Sequence, residues 1–176
     1  MFGQTTPTRS YNERVDYCVN KSKNERMPQP TCIIGYTLPI FSAKTVDGTT
    51  INNNYFKDKI TIINFWFSSC SPCMAEIPGF NIIMEQYGTE NFNYLGITSD
   101  TKKQTLETIE KFKWKFEQIS DAKKLITETF RISWGYPTTF VVDKNGKIIQ
   151  AFSGGSMGQH AIDKIQKDVT PFLIKN

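Results

Sequence analysis

Cys70 and Cys73 are separated by Ser71 and Pro72, and they stand where an apolar run, Lys59–Phe67, gives way to helical spacing. A C-x-x-C pair supports three kinds of chemistry: a dithiol/disulfide couple, half of a zinc site, or a structural disulfide. The junction suits the first. The opening turn of a helix has unpaired N–H groups and the positive end of the helix dipole, and both stabilise a thiolate at Cys70. A lowered thiol pKa makes a nucleophile available near neutral pH. The spacing lets Cys73 reach back and resolve a mixed disulfide formed by Cys70. Pro72 falls in the first turn, where its missing N–H leaves no bond unmade and its fixed φ suits the helix. A zinc site needs two further ligands. Cys18, Cys32 and His160 remain, and none is paired at ligand spacing.

Cys18 and Cys32 enclose 13 residues. In an oxidising compartment they can close a disulfide that tethers the N-terminal region, worth roughly 3 kcal/mol by loop entropy. In a reducing one they are two free thiols. His160 is the only histidine and lies far along the chain from the cysteines, so a surface position is expected and a Cys–His catalytic pair is not.

The bulk properties narrow the rest. A chain of 176 residues favours one domain with room for a substantial core. No run of 18 apolar residues occurs, so no membrane-spanning helix is expected. The net charge is +4 and the basic residues are scattered, which does not indicate a nucleic-acid face. Lys111–Phe116 interleaves lysines with aromatics, as at a helix end running into a strand with lysines out and aromatics in. The opening Met1 to Pro7 lacks the basic-then-apolar signature of a secretory signal.

The elements that must hold the cysteines follow from periodicity and turn residues. Residues 1–34 are polar and proline-containing, and read as an extension with little core of its own, with Tyr11–Val19 a short helix or extended arm. Residues 35–176 read as the folded domain. Phe41–Val46 and Thr49–Ile51 flank Asp47-Gly48 as a hairpin. Lys59–Phe67 reads as a buried strand. Cys73, Ile77, Phe80 and Met84 line one helix face, and Gly88 is its stop. Phe92–Thr98 is a strand, followed by a cap at Ser99-Asp100 and a helix over Lys102–Phe112. Phe116–Ser120 is a strand, and Asp121 caps a helix over Ala122–Phe130. Thr138–Val142 and Lys147–Phe152 form a hairpin about Asn145-Gly146, Gly154-Gly155 is a break, and Met157–Phe172 is the last helix. Strands alternating with helices imply an α/β protein: a central mixed β-sheet with helices on both faces.

The segment Asn64-Phe65-Trp66-Phe67-Ser68-Ser69-Cys70-Ser71-Pro72-Cys73-Met74-Ala75-Glu76-Ile77-Pro78 resembles the thioredoxin-like thiol–disulfide oxidoreductases of the TlpA/ResA type. Gly135-Tyr136-Pro137-Thr138-Thr139 looks like that family's cis-proline strand, and Asp143-Lys144-Asn145-Gly146-Lys147 like its hairpin turn. The resemblance spans roughly residues 36–173 and implies a thioredoxin-like fold with an N-terminal hairpin and an inserted βα unit. Asn64 stands where cytosolic thioredoxins carry a buried Asp, and Ser69 where this family usually carries Trp.

The resemblance also implies roles. Cys70 attacks, Cys73 resolves, and Glu76, one turn on, exchanges protons with the thiols from a partly buried position. Trp66, Ser71, Pro72, Tyr136 and Pro137 border the substrate, with the backbone of Tyr136 offered for strand-like pairing. Pro78 interrupts the helix bonding. Cys18 and Cys32 are expected to pair, because the family is mostly extracytoplasmic. The expected partners are a protein disulfide substrate and an upstream thiol electron donor, which can be membrane-associated. A monomer needing no metal or organic cofactor is expected. The rivals are a disulfide oxidant or isomerase, a peroxiredoxin-like peroxidase and a metal-binding assembly chaperone. The peroxidase pattern needs Pro at 63 and Thr at 67, where Ile63 and Phe67 stand.

Overall fold

The computed structural model describes residues 10–25 and 28–173; the opening heptapeptide read above lies outside the described residues. A five-stranded sheet forms the centre, in the order β5-β4-β3-β6-β7. Its strands are β3 (Ile60–Trp66), β4 (Phe92–Thr98), β5 (Glu117–Ile119), β6 (Thr138–Val142) and β7 (Ile148–Ser153). β3, β4 and β5 run parallel, while β6 and β7 are antiparallel additions on the other side of β3. The middle strand is therefore β3, buried at every residue. Its continuous Ile and aromatic content is what a strand covered on both faces requires.

One face of the sheet is covered by α2 (Ser71–Tyr87), α3 (Lys102–Phe112) and α4 (Gln159–Val169). Ile62 and Trp66 of β3 pack there with Ile77, Phe80 and Ile83 of α2 and Ile165 and Val169 of α4. The α2–α4 contact is close because Gly79 lies at the crossing: a Cβ there would come within 3.2 Å of the Ile162 Cα. The opposite face carries Ile63 and Phe65, covered by Phe41, Ile51, Phe56, Ile126 and Phe130. Phe130 centres this layer, with ring contacts to Phe41 at 5.1 Å and Phe65 at 5.2 Å. The expected helices on both faces are present in unequal form. The second face has one full helix, α1 (Tyr11–Lys21), together with short turns and the hairpin of β1 (Ser42–Lys44) and β2 (Thr50–Asn52).

Within the stretch 1–34, read from sequence as an extension with little core of its own, Tyr11–Lys21 and Pro30–Ile33 share the core of the domain. Ser10 and Glu13 form a capping box that starts α1. Tyr11, Val15 and Cys18 recur along one helix face and are buried with Ile33 among the sheet residues. The Tyr11 hydroxyl donates to the Phe130 carbonyl at 2.7 Å. A polar segment with few apolar residues has placed Tyr11, Val15 and Cys18 on one buried stripe, so its packing exceeds what its composition suggests.

Three sequence boundaries are corrected. The cap of α3 is Thr101, with Gln104 completing a capping box; Ser99 and Asp100 lie before it. The expected helix over Ala122–Phe130 is short, with a π-type turn at Leu125–Thr129 as its main part. Asp121 does not cap it: its carboxylate accepts from the Lys102 N–H at 3.1 Å, serving α3 instead. α4 starts at Gln159, and a 3₁₀ turn containing Pro171 replaces its expected last turn. No helix among the described residues is long and apolar enough to cross a membrane.

Across the sheet, Asn64, Gly96 and Gln118 are register partners on β3, β4 and β5. Gly96 leaves the space that the Gln118 side chain occupies, and Gln118 Oε1 accepts from Trp66 Nε1 at 2.9 Å. A Cβ at Gly96 would overlap Gln118 Oε1. We expect Gly96→Ala to break the Trp66 bond and destabilise the fold by about 1–3 kcal/mol. In urea titrations this reads as a lower midpoint with an unchanged slope.

Candidate active site

The strand-to-helix junction sets Cys70 at the N-cap of α2. Cys70 N–H donates to the Phe67 carbonyl at 3.0 Å, and Met74 N–H to the Cys70 carbonyl at 3.1 Å. The Cys73 N–H points at the Cys70 sulfur at 3.3 Å. One of the orphan donors of the helix terminus is thus aimed at the sulfur that would carry negative charge in the reduced form. Cys70 and Cys73 are joined as a disulfide, with Cα atoms 5.2 Å apart. Cys70 keeps 6% of its surface exposed and Cys73 1%, so the first cysteine is the more accessible.

Two loops border the pair. The Tyr136–Pro137 peptide bond is cis and leads into β6. The Tyr136 ring stacks edge-on against Phe67, at 5.1 Å, next to the β3–α2 junction. The chain following β7 closes in at Gly155, where an added Cβ would lie 2.8 Å from Pro72 and 3.0 Å from Pro137. Gly155 therefore permits a close approach of three segments that no larger residue allows. Sequence reading marked Gly154-Gly155 only as a break between elements. Asp100 was also missed in its role. It was expected to cap α3, but its carboxylate accepts from the Ser68 N–H at 2.6 Å and anchors the loop before Cys70.

Ser71 is exposed and Pro72 half-buried between the two cysteines. Trp66 is a correction. It is fully buried, its ring 4.7 Å from Trp114 and its N–H committed to Gln118, so it has no surface to offer a substrate. Trp134 is buried too. Neither indole replaces the ring that Ser69 lacks, and Ser69 itself is exposed. Asn64 is buried, its Nδ2 donating to Thr139 Oγ1 at 3.0 Å. His160 is exposed on α4.

Glu76 lies one turn after Cys73 on α2 and is completely buried, deeper than expected from sequence. Neither carboxyl oxygen has a hydrogen-bond partner among the described residues. Desolvation pushes its pKa up to about 8; Lys164 on α4 pulls it down and Asp168 pushes it up. Lys164 and Asp168 are themselves paired at 2.5 Å. A buried carboxyl that titrates in the thiol range is matched for proton exchange with cysteine.

Cys18 on α1 is joined to Cys32 in the 3₁₀ turn at Pro30–Ile33, with Cα atoms 5.9 Å apart. This second disulfide lies in the other core layer.

The AhpC/TSA family model matches residues 34–151. The thiol-disulfide oxidoreductase ResA of Bacillus cereus is 28% identical over 151 residues, covering 85% of this chain and 83% of the relative. The thioredoxin-like protein YneN of Bacillus subtilis is 27% identical, covering 74% of this chain and 76% of its own. Among solved structures, the thioredoxin domain of a thiol-disulfide oxidoreductase from Bacteroides vulgatus superposes with a TM-score of 0.63. It is 26% identical, and the match covers 76% of this chain and 96% of that one. The matched region contains β3 to β6 and most of β7, the cysteine pair and the Tyr136–Pro137 segment, and on these grounds the chain belongs to the AhpC/TSA family and has the thioredoxin-like fold.

Proposed function

We propose that the protein is a thiol–disulfide oxidoreductase that reduces disulfides in protein partners, cycling Cys70 and Cys73 between dithiol and disulfide. The observation that carries this reading is the Cys70–Cys73 disulfide at the N-terminal turn of α2, with the first sulfur accessible and the second shielded. In the reducing direction, the Cys70 thiolate attacks one sulfur of the partner's disulfide. The departing partner sulfur leaves as a thiolate and takes up a proton. Cys73 then loses its proton and attacks Cys70. The partner's second sulfur leaves, and two electrons have passed from the dithiol to the partner. An upstream thiol donor restores the dithiol by the same exchange in reverse.

Glu76 exchanges protons with the Cys70 and Cys73 thiols in this reading. Its burial without hydrogen-bond partners supports the role, because its proton affinity then lies close to that of a thiol. Tyr136 and Pro137 receive the partner's backbone, with Ser71 and Pro72 on the opposite rim. The second disulfide, Cys18–Cys32, supports a site of action outside the cytosol, where such bonds persist. Ile63 and Phe67 stand where a peroxidase of the P-x-x-x-T-x-x-C pattern needs Pro and Thr.

The direction is tested by the reduction potential of Cys70–Cys73, measured against a thiol buffer with Cys18 and Cys32 replaced by Ser. We expect a value of about −270 mV or lower, whereas one near about −120 mV reverses the assigned direction. Cys73→Ser is expected to accumulate a mixed disulfide between Cys70 and the partner, visible by intact mass; Cys70→Ser forms none.

Glu76 supplies a separate test. Its carboxyl holds a proton up to about pH 8 when folded, against an ordinary value of 4.5. Between those limits the folded protein binds a proton that the unfolded chain has released. Stability therefore falls as pH rises across that window. Glu76→Gln is neutral throughout and removes this slope. We expect its advantage over the parent to grow from pH 4.5 to pH 8 by on the order of a few kcal/mol. Denaturant curves of the two proteins that stay parallel across this range would count against the assignment.

A further inference from the structure

Gln29 sits against the outer edge of β7, beyond the last strand of the sheet. Its Nε2 donates to the Ser153 carbonyl at 3.1 Å, and its Oε1 accepts from the Ser153 N–H at 3.0 Å. These are the two bonds that a neighbouring strand would make with an edge residue. A primary amide suits the position because it presents one donor and one acceptor on one planar group.

Ser153 is the last residue of β7 and the point where three restraints meet. Its hydroxyl donates to the Trp134 carbonyl at 2.8 Å and lies 2.9 Å from the Thr138 hydroxyl. The next residue, Gly154, donates its N–H to the Pro137 carbonyl at 2.9 Å. Gly155 then packs between Pro72 and Pro137. The backbone that Gln29 holds is thus bonded on its other side to the segment from Trp134 to Thr138.

Gln29 is itself anchored. The turn at Pro30–Ile33 follows it at once. Cys32 in that turn is bonded to Cys18 of α1, and Arg14 Nε donates to the Cys32 carbonyl at 2.6 Å. Ile33 is fully buried. On the far side, Gly35 N–H donates to the Ile148 carbonyl at 2.8 Å and Ile148 N–H to the Tyr36 carbonyl at 2.9 Å. Residues 29–36 therefore grip β7 at both ends.

We propose that Gln29 is a positioning residue of the redox site: through Ser153 it holds the Tyr136–Pro137 segment in the arrangement that receives a partner's peptide. The inference rests on the reading of Tyr136–Pro137 as the docking segment. The Cys18–Cys32 disulfide serves it by fixing the turn from which Gln29 reaches. Gln29 touches neither sulfur, so its effect falls on docking and leaves the thiol chemistry alone.

The test compares the full chain with Gln29→Ala and Gln29→Glu. Glu has the same length but no amide donor, and it turns an oxygen toward the Ser153 carbonyl. Each protein is reduced with one equivalent of dithiothreitol and mixed with one of two probes in single-turnover experiments. One probe is a fluorogenic peptide closed by a disulfide, which needs backbone docking. The other is dithiobis(nitrobenzoate), which does not. For both variants we expect a roughly three- to tenfold lower rate with the peptide, the size of one or two hydrogen bonds. The rate with the small disulfide and the reduction potential of Cys70–Cys73 are expected to stay at the parent values. Equal losses with both probes, a shifted potential, or no loss with the peptide would each overturn the proposal. A parent protein that reduces neither probe would overturn the oxidoreductase reading and this inference with it.

Discussion

Everything at the redox site hangs on the join between β3 and α2. β3 is the middle strand, hydrogen-bonded to β4 on one side and β6 on the other, and all seven of its residues are buried. A strand so enclosed has a fixed end point. The helix that starts there projects its first N–H groups to a defined place, and Cys70 occupies that place as the N-cap. The helix dipole is strongest within its first turn, so the electrostatic help to a Cys70 thiolate depends on this position and would fade a turn further on. Asp100, at the end of the neighbouring strand, pins the loop through Ser68 and prevents the join from drifting.

The same sheet face holds the Glu76 carboxyl one turn beyond Cys73 and withholds water from it. α2 must bury one side against β3 and α4 to form at all, and Glu76 lies on that side with Cys73, Ile77 and Phe80. Burial of an ionised carboxyl without partners is costly, so the group keeps its proton. The paired Lys164 and Asp168 on α4 act on it with opposite signs. Gly79, one helical turn beyond Glu76, lets α4 pack close against α2.

On the other face of the sheet a short N-terminal segment becomes part of the scaffold that holds the cysteine pair. α1 and the turn at Pro30–Ile33 complete the second core layer, and a disulfide links them. The segment also covers the edge of β7, satisfying backbone groups that would otherwise invite another strand. The edge it covers ends at Ser153, whose hydroxyl reaches the loop that leads into Pro137. Packing of the N-terminal segment is thus connected by hydrogen bonds to the loop that leads into Pro137.

The chemistry and most of the element order were legible in the chain alone. The spacing of Cys70 and Cys73, the proline between them, the apolar run before them and the Asp-Gly and Asn-Gly turns are local signals, set by covalent geometry and by the conformational freedom of single residues. What the linear pattern could not carry was which neighbour a polar side chain would find. Asp100 and Asp121 have the composition of helix caps but are spent on Ser68 and Lys102, because tertiary partners offered better-placed donors. Trp66 belongs to the motif around the cysteines, yet strand alternation and the space above Gly96 commit it to Gln118 in the core. Gln29, in a polar stretch without periodicity, becomes part of the sheet edge only because a disulfide and a buried isoleucine bring its turn to β7. Residue type and spacing decided what the site can do, since reactivity resides in the thiols and their helix. Tertiary structure decided what surrounds it, since burial and long-range hydrogen bonding exist only once distant segments have met.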